Sequence, residues 1–158
     1  YGNLFGTIEN PKIEKKNKHS EVGYKNIRDF PSFNLSNINS IYDLFDSINL
    51  NDYFNDLNYA YYFPTLLNSY EREYFISFDG NIRITLDNNL KFYSLIDKNN
   101  SFLDNRSVID KKILEIKYDI DNDNKIEALT NYLPFRIKKF SKYVHGVSLF
   151  RQDRRYLE

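Results

Sequence analysis

Hydrophobic and polar residues alternate along several stretches of this 158-residue chain. A period of two residues puts successive side chains on opposite faces of an extended backbone, so the alternation predicts β-strands. The stretches with this pattern are residues 11–28, 65–78, 81–87 and 112–119. The dipeptide Asp79-Gly80 separates the second stretch from the third and favours a tight hairpin turn between them.

Other stretches carry their hydrophobic residues at helical spacing or lack a regular pattern. Helices are predicted at residues 36–48, 51–62 and 124–133. Residues 97–107 are polar and predict a loop, whereas residues 134–149 run through a basic stretch into a predicted last strand. Together these elements predict an α+β fold, with one domain over residues 1–150 and a charged tail at 151–158.

Composition excludes several classes of protein. The chain has no Cys, which rules out a disulfide scaffold and any cysteine-based zinc or redox site. No apolar run approaches the roughly 20 residues that span a bilayer, so no direct membrane span is predicted. The 22 basic and 22 acidic side chains cancel, which argues against a general nucleic-acid-binding surface but leaves room for a local basic cavity.

Charged side chains share faces of the predicted strands. The sets on one face are Glu14, Lys16 and Lys18; Tyr70, Arg72 and Tyr74; Arg83, Thr85 and Asp87; and Glu115 and Lys117. For any one strand, a solvated face is the simpler interpretation. If the faces converge in a polar interior instead, their charges must pair or bind a ligand. Arg and Lys beside a few carboxylates suit a polyphosphate held together with a divalent cation.

Other kinds of site lack their sequence signatures. The chain contains no GxxxxGK(S/T), GxGxxG or GxSxG pattern, which mark P-loop, Rossmann and serine-hydrolase sites. Its two histidines, His19 and His145, lie far apart in sequence, which argues against a histidine-rich metal site. His145 precedes Gly146 and favours a structural or surface role over that of a base.

Four segments, in order along the chain, resemble one protein family. KIEKKNK followed by VGYK is similar to an LEIK-x-K…G-x-K segment. SYEREYFISFDGNIRITLDNNL is similar to a hairpin of the form Y-x-R-x-x-(Y/F)…G-x-(V/I)-R-(I/V)-T-x-D-x-x-(L/I). ILEIKYD resembles an LE(V/I)KY strand, and LPFRIKKFSKYVHGV resembles an LP…SKY ending. These are motifs of vacuolar transporter chaperone (VTC) domains, also called polyphosphate polymerase domains.

The resemblance implies the triphosphate tunnel fold of the CYTH-like superfamily, an antiparallel β tunnel or barrel with a few packed helices. The implied function is metal-dependent phosphoryl transfer of the polyphosphate polymerase type, from the terminal phosphate of ATP to a polyphosphate chain. A triphosphatase acting on tripolyphosphate or a nucleoside triphosphate is the first alternative, and a non-catalytic polyphosphate-binding module is the second. The implied cofactor is Mn²⁺ or Mg²⁺. The implied partners are ATP, inorganic polyphosphate or triphosphate, and no nucleic acid is expected to bind. The implied localisation is cytoplasmic.

The resemblance also implies roles for individual residues. The implied catalytic residues are Arg72, Arg83, Lys142 and Glu115. Of these, Arg72 and Arg83 would clamp phosphate oxygens. The residues implied to bind phosphate are Lys16, Lys25, Lys117, Ser141 and Tyr143, and the implied metal ligands are Glu115 and Glu14. Asp87 would orient Arg83 or anchor the turn, and the structural role is preferred.

Some motifs of the family have no counterpart in the chain. In the family, an E-x-K motif, an S-(L/V)-Y-F-D segment and a K-x-R-x-R strand precede a segment like YGNLFG. We therefore expect the chain to begin partway through the tunnel, without its N-terminal strands, so that residues 1–150 form the C-terminal portion of the domain. The chain also departs from the family at Lys15, where the strand would place an apolar residue.

Overall fold

The structure is a computed structural model that describes residues 6–19, 22–35, 43–44, 53, 64–95 and 106–154. Two compact units make up the chain: Tyr1–Pro64 with Leu95–Ser101, and Thr65–Ser94 with Phe102–Glu158. The prediction of a single domain over residues 1–150 stays a prediction.

Over the described residues the chain is strand-rich with helices, as the sequence predicts. The strands are β1 (Thr7–Ile8), β2 (Lys12–His19), β3 (Val22–Asp29), β4 (Phe33–Asn34), β5 (Leu66–Ile76), β6 (Ile82–Ser94), β7 (Arg106–Ile109) and β8 (Ile113–Tyr118). The helices are α1 (Asp123–Asn131) and α2 (Lys142–Arg154), and a 3-10 turn at Ile120–Asn122 precedes α1. The strands of the described ranges form no closed barrel. No helix within those ranges is long and apolar enough to cross a membrane.

The first unit contains two antiparallel strand pairs, β1 with β4 and β2 with β3. The stretch at 11–28, which alternates weakly in sequence, forms the second pair, with Glu14 opposite Ile27 and Lys16 opposite Lys25. The helices predicted at 36–48 and 51–62 lie outside the described residues, apart from a helical turn at residues 43–44 and a turn at Tyr53.

The second unit is built around the long central strand β6. Strand β5 pairs along one edge of β6, and the other edge pairs first with β8 and then with β7, all antiparallel. The sequence predicts the β5–β6 hairpin and β8, but it ends the returning strand at residue 87 and assigns part of β7 to a loop.

A β-bulge explains why the returning strand is longer than predicted. The pairing of β6 with β5 shifts by one residue between Ser69 and Glu71, and Asn89 has a φ of 51°. An extra residue in the left-handed region reverses the alternation of faces beyond it. Leu90 and Phe92 therefore continue the face that carries Asp87, and the sequence loses its regular period at this point.

The hairpin turn between β5 and β6 is held by Asp79. Gly80 adopts a φ of 73°, which glycine takes without steric cost. The Asp79 carboxylate accepts hydrogen bonds from the Ser77 hydroxyl at 2.6 Å and the Asn81 backbone at 3.2 Å, and it pairs with Lys125 of α1 at 3.0 Å. The hydrogen bond from Ser77, followed by that from Lys125, lowers the pKa of Asp79 below its usual value.

The core of the second unit lies between β6 and α2. Its buried side chains are Leu90, Phe92 and Phe150, with Leu66, Ile109, Ile113 and Leu149 packed against them. The backbone of α2 closely approaches the sheet at Gly146, where a Cβ atom would lie 2.6 Å from Leu66 Cδ2 and from Phe92 Cδ1. A side chain at this position would force Leu66 or Phe92 to shift.

The prediction of a last strand within 134–149 is wrong, because residues from Lys142 onward form the helix α2. Ser141 caps this helix, since its hydroxyl accepts a hydrogen bond from the Val144 backbone at 3.3 Å. Lys142, Gly146 and Phe150 recur every four residues, which places them on the helix face that meets the sheet. The β-branched residues and Gly146 obscure this spacing in the sequence.

Replacing Gly146 by Ala tests how α2 is seated. The added methyl group overlaps Leu66 and Phe92, and this strain exceeds the gain in helix propensity. We expect the free energy of unfolding, measured by urea titration, to fall by about 1–2 kcal/mol. Val144→Ala at an exposed position of the same helix should change it by less than about 0.5 kcal/mol. A G146A protein as stable as wild type would show that the helix does not pack this closely.

Candidate functional site

One face of the β5–β6–β8 sheet carries most of the charged residues singled out in the second unit. Its cross-strand rows are Ile76–Arg83–Lys117, Tyr74–Thr85–Glu115 and Arg72–Asp87–Ile113. Neighbouring rows lie about 7 Å apart along the strands. Lys142 of α2 reaches this face at the third row. We call these three rows together with Lys142 the charged face.

Asp87 holds the third row together. Its side chain is completely buried, and it accepts two hydrogen bonds from Arg72, Nε to Oδ1 at 2.6 Å and Nη2 to Oδ2 at 2.8 Å. The Lys142 ammonium lies 2.5 Å from Oδ2 of the same carboxylate. One carboxylate thus neutralises one of two neighbouring cations and leaves a net positive charge.

The pairing determines how these groups titrate. Burial alone would raise the pKa of Asp87, but the hydrogen bonds from Arg72 and Lys142 outweigh it and lower that pKa. The hydrogen bond to Asp87 in turn raises the pKa of Arg72, against the effect of its own burial. Asp87 and Arg72 are therefore both charged at neutral pH.

Aromatic rings support the two cations. The Arg72 guanidinium carbon lies 5.0 Å from the centre of the Tyr70 ring and 5.9 Å from that of Tyr74. Lys142 Nζ lies 4.8 Å from the centre of the Tyr70 ring. Because an aromatic face attracts a cation, these contacts further fix the positions of both charged groups.

The opposite end of the charged face is open. Arg83 is exposed and makes no ion pair with any described residue, while Lys117 lies 3.4 Å from Glu115. Both cations border an open depression of about 650 Å³. Its lining residues are Ile76, Gly80, Asn81, Arg83, Ile116, Lys117, Tyr118 and Asp119. An exposed guanidinium beside a lysine is suited to bind an anion.

Glu115 is the carboxylate of this face that could hold a metal ion. It lies in the middle row and pairs only loosely with Lys117. No group of three or more His, Cys, Asp or Glu residues gathers within the described ranges. A divalent cation here would need oxygen ligands from a bound phosphate besides Glu115, as is common for Mg²⁺.

Two of the residues implied to bind phosphate lie at the start of α2. The Ser141 hydroxyl makes the capping hydrogen bond of this helix. Tyr143 is exposed, with 57% of its surface accessible. Contact of either with phosphate stays a prediction.

The remaining candidates form a cluster in the first unit. Lys25 Nζ lies 2.7 Å from Glu14 Oε1, and Lys16 Nζ lies 3.8 Å from Glu14 Oε2. The three side chains share one face of the β2–β3 pair. The ion pairs hold Glu14 beside both lysines, and a role of these residues in binding phosphate or metal stays a prediction.

Asp87 has a structural role, as preferred from the sequence, but it pairs with Arg72 and Lys142 rather than orienting Arg83. The pairing of Arg72 with Asp87 can be predicted from the sequence. A hairpin centred on Asp79-Gly80 pairs residues equally distant from the turn, which brings Arg72 opposite Asp87. The approach of Lys142 could not be found in this way, because it depends on how α2 packs.

Removing the charge of Asp87 should strongly destabilise the protein. Asp87→Asn leaves two partly buried cations without their counter-ion, and we expect a loss of about 3–5 kcal/mol in the free energy of unfolding. Asp110→Asn, at an exposed position outside the ion pairs of the described residues, should change it by less than about 0.5 kcal/mol.

The pH dependence of protein stability is a second test of the pairing of Asp87 with Arg72 and Lys142. The pKa of Asp87 is lowered in the folded state, so its ionised carboxylate stabilises the folded protein fully at pH values above the unfolded-state pKa of about 3.9. This stabilisation is lost as the pH falls through the folded-state pKa of Asp87. Wild-type stability should therefore fall steeply below about pH 4. An equally steep fall in the Asp87→Asn protein would contradict this assignment.

Comparison with known proteins identifies the family of the chain. A family model described as the VTC domain matches residues 9–151, which include every candidate residue above. No match was found among curated proteins or among solved structures. The match extends over far more than half of the chain, and the chain therefore belongs to the VTC domain family.

Proposed function

We propose that the charged face binds a triphosphate or polyphosphate chain and takes part in its metal-dependent phosphoryl transfer. The observation that carries this proposal is the arrangement of four cations in two groups on one face. Arg83 and Lys117 form one group, and Arg72 and Lys142 form the other, about 13 Å away along the strands. An extended polyanion can contact both groups at once, whereas a single phosphate cannot.

Membership of the VTC domain family supports a polyphosphate-related function. Within that class, we favour a polymerase that moves the terminal phosphoryl group of ATP to the end of a polyphosphate chain. In this reaction an oxygen of the chain end forms the new bond to phosphorus, the bond to the bridging oxygen breaks, and ADP leaves. The proposed site of action is the cytoplasm, and the proposed wall of the binding site is part of a triphosphate tunnel.

Phosphoryl transfer depends mainly on positioning and on neutralising charge. The exposed guanidinium of Arg83 would bind non-bridging phosphate oxygens bidentately, with Lys117 as a second positive charge. Arg72 and Lys142 are already fixed by Asp87 and by tyrosine rings. Fixed cations stabilise developing negative charge with little reorganisation, which is the main electrostatic contribution to such catalysis.

The residues of the charged face fit a divalent cation shared with the substrate. Glu115 would hold Mn²⁺ or Mg²⁺ together with phosphate oxygens, after releasing Lys117. Such an ion would neutralise charge on the transferring group. Because Lys117 is the current partner of Glu115, its release would also free a cation to contact the phosphate chain.

Binding without turnover is the second candidate function. It would use the same four cations, with Arg72 and Lys142 held in place by Asp87, to bind the polyanion without moving a phosphoryl group. A triphosphatase would use the same face with water in place of the chain end as acceptor.

Turnover measurements on substituted proteins test the proposal. With Mn²⁺ or Mg²⁺ and either ATP or tripolyphosphate, Arg83→Ala should lower kcat/KM by about tenfold to a hundredfold, because a charge-assisted contact is lost. Glu115→Gln should raise the metal concentration needed for half-maximal rate. Arg136→Ala removes an exposed arginine outside the charged face and should leave the rate within about twofold of wild type.

Each other outcome has a defined meaning for the proposal. Equal turnover by wild type, Arg83→Ala and Glu115→Gln would contradict the assignment of the site. Tight binding of tripolyphosphate by wild type, without turnover of either substrate, would replace the polymerase with a binding module.

A further inference from the structure

Thr85 carries a buried hydroxyl without a hydrogen-bond partner. The residue is 8% exposed, and its Oγ1 atom makes no hydrogen bond. Buried polar atoms are nearly always paired, so an unpaired one calls for an explanation. The other such atom among the described residues, Asn88 Oδ1, belongs to an amide whose Nδ2 already donates to Glu73. Thr85 has no comparable contact.

The unpaired hydroxyl lies between the two groups of cations. Thr85 occupies the middle row of the charged face, two residues from Arg83 and two from Asp87 on the same strand. Each neighbouring row is therefore about 7 Å away. A phosphate chain that contacts Arg83 at one end and Lys142 at the other would pass over this position.

We propose that Thr85 is a further ligand-binding residue, whose hydroxyl donates a hydrogen bond to a non-bridging oxygen of the phosphate between the two groups of cations. This inference rests on the proposed function. Phosphate oxygens only accept hydrogen bonds, and a threonine hydroxyl supplies the donor that a carboxylate such as Glu115 lacks. The hydroxyl is thus unpaired in the free protein because its partner belongs to the ligand.

Thr85 has a cross-strand neighbour on each side. Tyr74 and Glu115 flank Thr85 in the same row, and both side chains are partly exposed. Because Oγ1 itself is buried, a neighbouring side chain would have to move for a phosphate oxygen to reach it.

Thr85→Val tests this role, since valine keeps the shape and strand preference of threonine without its hydroxyl. Calorimetric titration of the full chain with tripolyphosphate, in the presence of Mg²⁺, should show a Kd about tenfold higher than that of wild type. Thr85→Ser keeps the hydroxyl and should bind within about threefold of wild type. The Tm of the ligand-free Thr85→Val protein should equal or exceed that of wild type, because no hydrogen bond is lost.

The outcomes separate this inference from the proposed function. No binding of tripolyphosphate by wild type would overturn both. Equal binding by wild type and Thr85→Val would overturn the inference alone, and so would a tenfold loss in Thr85→Ser. A Tm clearly below wild type in ligand-free Thr85→Val, with Thr85→Ser unchanged, would show that the hydroxyl has a structural partner and would also overturn it.

Discussion

The ion pairs of Asp87 connect the β5–β6 hairpin to α2 in the second unit. A fully buried carboxylate is costly unless its charge is compensated, and here Arg72 from β5 and Lys142 from α2 both compensate it. The hairpin must keep its register for Arg72 to face Asp87, and α2 must be seated at Gly146 for Lys142 to reach it. The β5–β6 hairpin and α2 are thus tied together at one point.

The same constraint divides the cations of the charged face into two kinds. Arg72 and Lys142 are fixed by a carboxylate and by the Tyr70 ring, so they supply a permanent positive potential with little conformational freedom. Arg83 and Lys117 border an open depression, and the loose contact of Lys117 with Glu115 can be exchanged for a contact with ligand. A fixed group and an adjustable group of cations are together suited to bind a long, flexible polyanion such as the proposed phosphate chain.

Local patterns in the sequence predict much of this arrangement. Period-two alternation and the Asp79-Gly80 turn define the hairpin, and the position of the turn already pairs Arg72 with Asp87. The continuation of β6 could not be predicted in this way, because the left-handed residue Asn89 reverses the alternation that reveals a strand. The sequence predicts a strand where α2 lies, because the helix face that packs on the sheet includes Lys142 and Gly146 and is not a continuous apolar stripe. The contact between Lys142 and Asp87 depends on that packing and has no local signal.

Chemical-shift mapping with tripolyphosphate tests the central claim most directly. The account predicts that backbone amide shifts, followed by ¹H–¹⁵N NMR in the presence of Mg²⁺, change saturably along the charged face. The largest changes should fall near Arg83, Thr85 and Glu115, with smaller ones near Asp87 and Lys142. Changes confined to the exposed basic segment around Arg136 and Lys138, or no saturable changes at all, would contradict it.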